Sequence, residues 1–182
     1  KSQSIRILWL LEELGVPYEV KLYDRDPNTR LAPAEYKAVS PLGTAPCITD
    51  GDITLSETNA IMDYILDTHD DGRLRPAPGT PNRADYLFWF HVSQGSLQPL
   101  LTNKFVMMAM TARAPFFLKP AAKMLVGGLD KAFFGPRLKA LMTEIEKALG
   151  KSTWFAGDNL TAADIVMGYS MELAAHRAGM DA

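Results

Sequence analysis

Two side chains at the start of one helix, Glu57 and Thr58, form the chemically most suggestive pair in the chain. A carboxylate and a hydroxyl stand side by side where backbone N–H groups lack intrahelical partners and the helix dipole presents its positive end. Such a terminus attracts a carboxylate, and Thr58 can add a hydroxyl donor. Glu57 beside it would pair with an ammonium group. An α-amino-acid head group carries both charges on one carbon and satisfies both demands. A few residues upstream, Ala45 precedes Pro46, which has no N–H to donate and therefore belongs at an edge, a bulge or a cis turn. With a cis bond, Ala45 would turn its N–H and C=O outward to an extended peptide.

The elements that must position these groups are legible nearby. Asp50-Gly51 lies between two short apolar-alternating runs, a hairpin signal resting on glycine's tolerance of positive φ. Ser56 is the expected N-cap of the next helix, and Ile61, Met62, Ile65 and Leu66 give that helix an apolar face. Cys47 alternates with Pro46 and Ile48 and is expected to be a small buried core thiol.

Bulk composition removes several function classes. The chain has 182 residues and a formal net charge of −2, so no electrostatic footprint for nucleic acid or an anionic membrane is expected, and neither is expected as a partner. A single cysteine rules out a disulfide framework and any paired-cysteine redox or zinc site. No apolar run reaches the length needed to span a bilayer, and no metal is implied. A reducing, cytoplasmic setting is the expectation. The chain opens at Lys1 without methionine and stops shortly after a helix cap expected at Gly179, so flanking elements are expected to be absent.

Along the chain, residues 2–14 predict a helix capped by Ser2 or Ser4, closed by Gly15, with Ile5, Leu8, Trp9 and Leu11 on its apolar side. Residues 18–23 alternate and predict a strand, and a short helix is expected over 34–38. A tract rich in proline and glycine follows the Glu57 helix and holds the linker, placed at 76–81 between domains of 1–75 and 82–182. Beyond it the pattern is helical. Gly95 and Pro99 are expected to interrupt the first long helix, in which His91 reads as a buried, satisfied histidine. Leu138, Leu141, Met142, Ile145 and Leu149 form an apolar stripe. Thr161 and Asp164 read as a structural capping box, with Leu160 and Ile165 as its staple. The first domain, with a leading strand supplied, is a compact α/β unit of the thioredoxin type. An all-α domain follows it.

Three motifs together resemble the glutathione transferases across essentially the whole chain. Ala45-Pro46, an acidic turn and Ser56-Glu57-Thr58 with Ala60-Ile61 resemble that family's glutathione-binding segment. Residues 157–164 resemble its N-capping motif in the helical domain. The opening from Ser2 resembles serine-type members, closest to a fungal and bacterial branch, as do Tyr23-Asp24-Arg25-Asp26 and His91 with Gly95-Ser96-Leu97. The resemblance implies a thioredoxin-like N-terminal domain with a helical-bundle C-terminal domain, acting in detoxification as a homodimer. It implies conjugation or reduction of a small hydrophobic electrophile by the thiol of glutathione, the co-substrate. By position, Ser2 would contact the thiol, Ala45 and Pro46 would pair with the cysteinyl part, and Glu57 and Thr58 would hold the γ-glutamyl head group.

The family often places a basic residue where Thr44 stands here, so the contact with the glycine carboxylate either comes from elsewhere or is weaker. For the electrophile, Phe105 and Met108 are the foremost pocket candidates, with Met107, Phe116 and Phe117 beside them, since methionine fits many shapes. A non-catalytic module that uses the same fold for protein interaction is the alternative function, and the pairing of Glu57 with Thr58 favours the enzyme.

Overall fold

The computed structural model describes residues 2–29, 31–40 and 42–177, the last two as backbone only. The expected cap at Gly179 lies outside the described residues, as does Pro41 of the turn after the second helix. The chain divides into two compact units, Lys1–Ala77 and Pro78–Ala182.

In the first unit, α1 covers Ile5–Leu14 and ends on Gly15, whose φ of 66° lets its amide close on the carbonyl of Glu12. The short helix α2 covers Ala34–Val39. Strands β1 (Cys47–Asp50) and β2 (Ile53–Ser56) pair antiparallel, with Cys47 opposite Ser56 and Asp50 opposite Ile53. The two-residue loop is therefore Gly51-Asp52, one position later than the Asp50-Gly51 signal suggests. Gly51 supplies the positive φ, 54°, at its first position. Helix α3 (Thr58–His69) follows, and its buried Ile61, Met62, Ile65 and Leu66 pack against Ile7, Leu10 and Leu11 of α1. The expected face of α1 is turned by about one residue. Ile5 and Trp9 are exposed, whereas Arg6 is buried.

Two sequence expectations fail in this unit for identifiable reasons. Residues 18–23 form no strand, because no described segment offers them a ladder, and Val20 and Leu22 stay exposed. Alternation reports a pattern of side chains, not the presence of a neighbour. Ser56 is not the cap of α3. It is the last residue of β2, its hydroxyl meets that of Ser40 at 3.2 Å, and Glu57 occupies the cap position. The tract from Asp70 onward is ordered by Asp70 itself, whose carboxylate accepts the amides of Leu74 and Arg75. Leu74 is thereby held in the core.

The second unit is all-helical: α4 (Arg83–Val92), α5 (Gln98–Arg113), α6 (Lys119–Leu129), α7 (Gly135–Lys151) and α8 (Ala162–Arg177). A π-helical turn, Ser93–Leu97, joins α4 to α5 without breaking the column, and another, Asp130–Phe134, joins α6 to α7. Pro99 removes one N–H from the continuous column, and the π-helical turn just before it widens the backbone there, so the expected interruption is only a widening. The core gathers Tyr86, Trp89, Phe90, Leu97, Leu101, Leu138, Ile145, Phe155 and the Ile165-Val166-Met167 run of α8. His91 is exposed, edge-on to Phe90, because the buried side of α4 runs through residues 86, 89 and 90.

Polar bonds fix how α8 meets the α4–α5 junction. The Ser93 hydroxyl donates to the Val166 carbonyl at 2.9 Å, and the Ser170 hydroxyl donates to Gln98 Oε1 at 3.2 Å. The start of α8 is held by Asp164, which accepts from the Phe155 amide at 2.7 Å and from both the amide and hydroxyl of Thr161 at 2.8 Å. The Thr161 hydroxyl thus donates to the carboxylate instead of accepting the Asp164 amide as in a capping box. Asp164→Ala would strand these donors in a buried site. It should lower stability by about 3–5 kcal/mol, read from chemical unfolding. Asp164→Asn, which keeps an acceptor, should cost visibly less.

Candidate functional site

The chemistry suggested by sequence falls within the first unit, where the starts of α1 and α3 are tied together. Gln3 Oε1 accepts from the buried Arg6 guanidinium at 2.8 Å and from Thr58 Oγ1 at 3.3 Å. One carboxamide oxygen therefore joins the residues leading into α1 to the first residue of α3. Both donors are buried, Arg6 completely and Thr58 almost so. Neither Gln3 nor Arg6 stood out in the sequence, since a polar residue near a helix start reads as surface.

Ser2 is exposed just ahead of α1. Its Oγ receives the Ser4 amide at 3.3 Å and lies 3.1 Å from the Ser4 hydroxyl. Ser4 has helical backbone angles and makes no side-chain cap, whereas Ser2 accepts the amide two residues on, as an N-cap does, so of the two serines the sequence offers it is Ser2 that caps the turn leading into α1. When the Ser4 hydroxyl also donates to Ser2 Oγ, the Ser2 proton is left to point elsewhere.

The Ala45–Pro46 peptide bond is cis. Pro46 is buried and Ala45 exposed. The loop before them is held through the Thr44 carbonyl, which accepts the Tyr36 hydroxyl at 2.8 Å and the buried Ser40 hydroxyl at 3.3 Å. Burial pushes the Tyr36 phenol above its ordinary range, so it stays a neutral donor at physiological pH.

Glu57 has φ 77° and ψ 121°, an uncommon conformation for a residue with a Cβ. Positions of this kind cost about 1–3 kcal/mol and gather at ligand clamps. Its side chain is exposed and makes no cap bond to α3.

Ser2 and Ala45 line one cleft of about 200 Å³, together with Lys21, Arg25, Tyr36 and Cys47. No acidic residue lines it. Lys21 is held more firmly protonated by its hydrogen bond to Tyr23. Sequence reasoning assigned Lys21 and Arg25 no role. They reach the cleft only because the extended stretch after α1 passes its N-terminal end. Cys47 is half-buried at the cleft wall rather than sealed in the core, since β1 is covered by a strand on one edge only. Glu57 and Thr58 are not among the cleft's lining residues, and Thr58 connects to Ser2's neighbourhood through Gln3.

In the second unit, Phe105 lines a smaller cleft of about 100 Å³ with Leu101, Tyr169 and Leu173. Met108 is half-exposed and is not part of it. Among the described residues no three His, Cys, Asp or Glu side chains cluster to hold a metal ion.

Comparison with known proteins places this geometry. The family model "Glutathione S-transferase, N-terminal domain" matches residues 2–68, and "Glutathione S-transferase, C-terminal domain" matches 110–182. Glutathione S-transferase 3 of Schizosaccharomyces pombe is 31% identical over 163 residues, 90% of this chain and 66% of that protein. Glutathione S-transferase 1 of Saccharomyces cerevisiae is 28% identical, covering 97% of this chain and 78% of the relative. A solved glutathione S-transferase from Actinobacillus pleuropneumoniae superposes with TM-score 0.70 at 32% identity, covering 97% of this chain and 75% of that one. The glutathione transferase URE2P6 of Phanerochaete chrysosporium, solved with oxidized glutathione, gives TM-score 0.70 at 25% identity, covering 95% of this chain and 74% of that one.

A thioredoxin-like unit carrying this cleft, followed by a helical unit, defines a glutathione-using transferase. The chain belongs to the glutathione S-transferase family. By family it is an enzyme with glutathione as co-substrate, and these relatives do not favour the interaction-module alternative.

Gln3→Leu should remove the shared acceptor, leaving Arg6 and Thr58 each short of a partner. The expected loss is about 1–3 kcal/mol in a denaturant titration. Near the cleft, Asp26 is held below the ordinary carboxyl range by the Thr29 amide and hydroxyl and the Asn28 amide. A depressed carboxyl contributes stability above its unfolded value, which is lost as pH falls through the folded one. The Thr29 amide resonance should therefore titrate below the ordinary range of an aspartate carboxyl. The shift should be absent in Asp26→Asn.

Proposed function

We propose that this chain binds glutathione in the cationic cleft of its first unit and delivers the thiolate to a small hydrophobic electrophile, as a serine-type transferase. The observation that carries the reading is that Ser2 and Ala45, drawn from separate motifs, line one cleft that also holds Lys21 and Arg25. In this arrangement Ala45, beside cis Pro46, pairs its backbone with the cysteinyl residue. Glu57 holds the γ-glutamyl ammonium. Thr58 gives its hydroxyl to Gln3, so its part in holding the head-group carboxylate passes to its amide at the start of α3. Lys21 and Arg25 supply the cations that Thr44 cannot, meeting the glycine carboxylate of the tripeptide.

A thiol is a poor nucleophile until it loses its proton. The thiol proton leaves to solvent, and Ser2 donates a hydrogen bond from its hydroxyl to the thiolate that remains, with Ser4 able to donate in turn to Ser2 Oγ. A hydrogen bond to a charged group contributes roughly 1.5–3 kcal/mol. At about 1.4 kcal/mol per unit, that lowers the thiol pKa by about one to two units. The sulfur lone pair then attacks the electrophilic carbon, and the displaced group leaves with its bonding electrons. With a peroxide instead, the thiolate attacks the O–O bond, becoming a sulfenic acid as the alcohol departs, and a second glutathione then displaces water to form the disulfide. Phe105 and Met108 on α5 provide apolar surface for the electrophile, Phe105 at the wall of its own cleft. The reading extends to a cytoplasmic homodimer acting in detoxification. The single cysteine and the lack of any paired-cysteine framework support a reducing compartment.

Binding to immobilised glutathione tests the first part. The parent should be retained, and Glu57→Ala should lose about ten- to a hundredfold in affinity, the worth of one charge-assisted contact. No retention of the parent at millimolar glutathione would defeat the proposal. Steady-state conjugation of a reactive aryl halide tests the second. Ser2→Ala should lower kcat about tenfold or more while KM for glutathione changes little. Unchanged turnover would remove Ser2 from thiol activation.

A further inference from the structure

We propose that residues 102–137 of the helical unit form a docking arm for an anionic phospholipid surface. None of these residues is buried, although they run through most of α5, all of α6 and the start of α7. Their apolar side chains are long and project outward. At the bend between α5 and α6, Phe116 is 84% exposed and Phe117 67%, their rings edge to face with centroids 5.5 Å apart. Seven to nine residues further on, within α6, Met124 and Leu125 are 72% and 69% exposed. So many large apolar side chains exposed within one stretch of chain mark an interaction site rather than ordinary scatter.

Charge selects the partner. The arm carries Lys104, Arg113, Lys119, Lys123, Lys131 and Arg137 against one acid, Asp130, which Lys104 meets at 3.3 Å. Between Asp85 and Asp130 the chain contains no acidic residue at all. The molecule as a whole has 19 basic and 21 acidic residues, so outside the arm acids outnumber bases by twenty to thirteen. The net charge of −2 therefore conceals a strongly basic arm on an acidic body. A second copy seated symmetrically on the same face would bring like charges together. An anionic bilayer surface is complementary to both features. Phe116, Phe117 and Met124 would enter the acyl boundary, while Lys119 and Lys123 would reach back to phosphate and serine headgroups. No helix of the described residues is long and apolar enough to cross a membrane, so the association is peripheral and reversible.

The test is co-sedimentation of the full chain with phosphatidylserine–phosphatidylcholine vesicles and with phosphatidylcholine alone. The parent should partition onto the mixed vesicles at low salt and be released as salt rises, with little binding to phosphatidylcholine. Phe116→Ser/Phe117→Ser should weaken partitioning by about tenfold or more. Lys119→Gln/Lys123→Gln should weaken it severalfold and flatten its salt dependence. Both variants alter exposed residues outside the cleft of the first unit, so retention on immobilised glutathione should match the parent and report an intact fold. The proposal is overturned if the parent ignores anionic vesicles, binds both lipids alike, or binds no better than the variants. It also falls if the phenylalanine variant splits a parent dimer into monomers in sedimentation velocity, which would make the arm a self-association face.

Discussion

The carboxamide oxygen of Gln3 is the point on which the first unit's site depends. It accepts from a fully buried guanidinium on α1 and from the hydroxyl that opens α3. A buried arginine cannot shed its charge, so it demands an acceptor, and an acceptor placed there is fixed in position. Thr58 is registered against that fixed atom, and the segment carrying Ser2 begins immediately beside it. Two helix N-termini, each with a local positive potential, are thereby held near one another instead of facing opposite ways. Apolar packing of Ile7, Leu10 and Leu11 on Ile61, Met62, Ile65 and Leu66 supplies the cohesion. The hydrogen-bonded oxygen supplies the register. The strained backbone of Glu57 belongs to the same arrangement, since the chain must leave β2 and enter α3 within one residue.

A second constraint shapes the helical unit. Its columns are not interrupted at Gly95 and Pro99 but widened by a π-helical turn, and the buried Ser93 hydroxyl reaches the Val166 carbonyl from within it. Asp164 anchors the opposite partner by collecting the Phe155 amide and both Thr161 donors. The unit is thus well tied where α4 and α8 meet and sparsely packed where α5 and α6 bend away. The contrast between a satisfied polar core and an apolar, basic arm separates two kinds of work within one small helical fold.

Much of this was readable from residues, and the exceptions have physical causes. The hairpin and the buried face of α3 were legible because a glycine-led turn and a period of 3.6 are local properties. The cis bond at Pro46 lay among the few places a proline can occupy at the start of a strand. The strand over 18–23 was misread because alternation carries no information about a pairing partner. Ser56 was misread as a cap because its residue type favours capping, while its ladder to Cys47 depends on the register of the hairpin. His91 was expected inside and is not, since a one-residue rotation on a helix moves a side chain between core and surface, and Cys47, also expected inside, is half-buried at the cleft wall. Gln3 and Lys21 were given no part in the site, and Arg25 entered only within a tract that resembles the family. Their part arises from where the chain passes in space, and nothing in their spacing announces it.

The central claim is that the α1 and α3 starts and the Ala45–Pro46 loop act as one glutathione site. Amide chemical-shift mapping with reduced glutathione tests it most directly. The account predicts that the largest shifts fall together on Ala45, Glu57, Thr58 and the Ser2–Ser4 turn, titrating with a single affinity, while amides lining the Phe105 cleft stay still. Shifts confined to the helical unit, or separate affinities for the α1 and α3 ends, would contradict it.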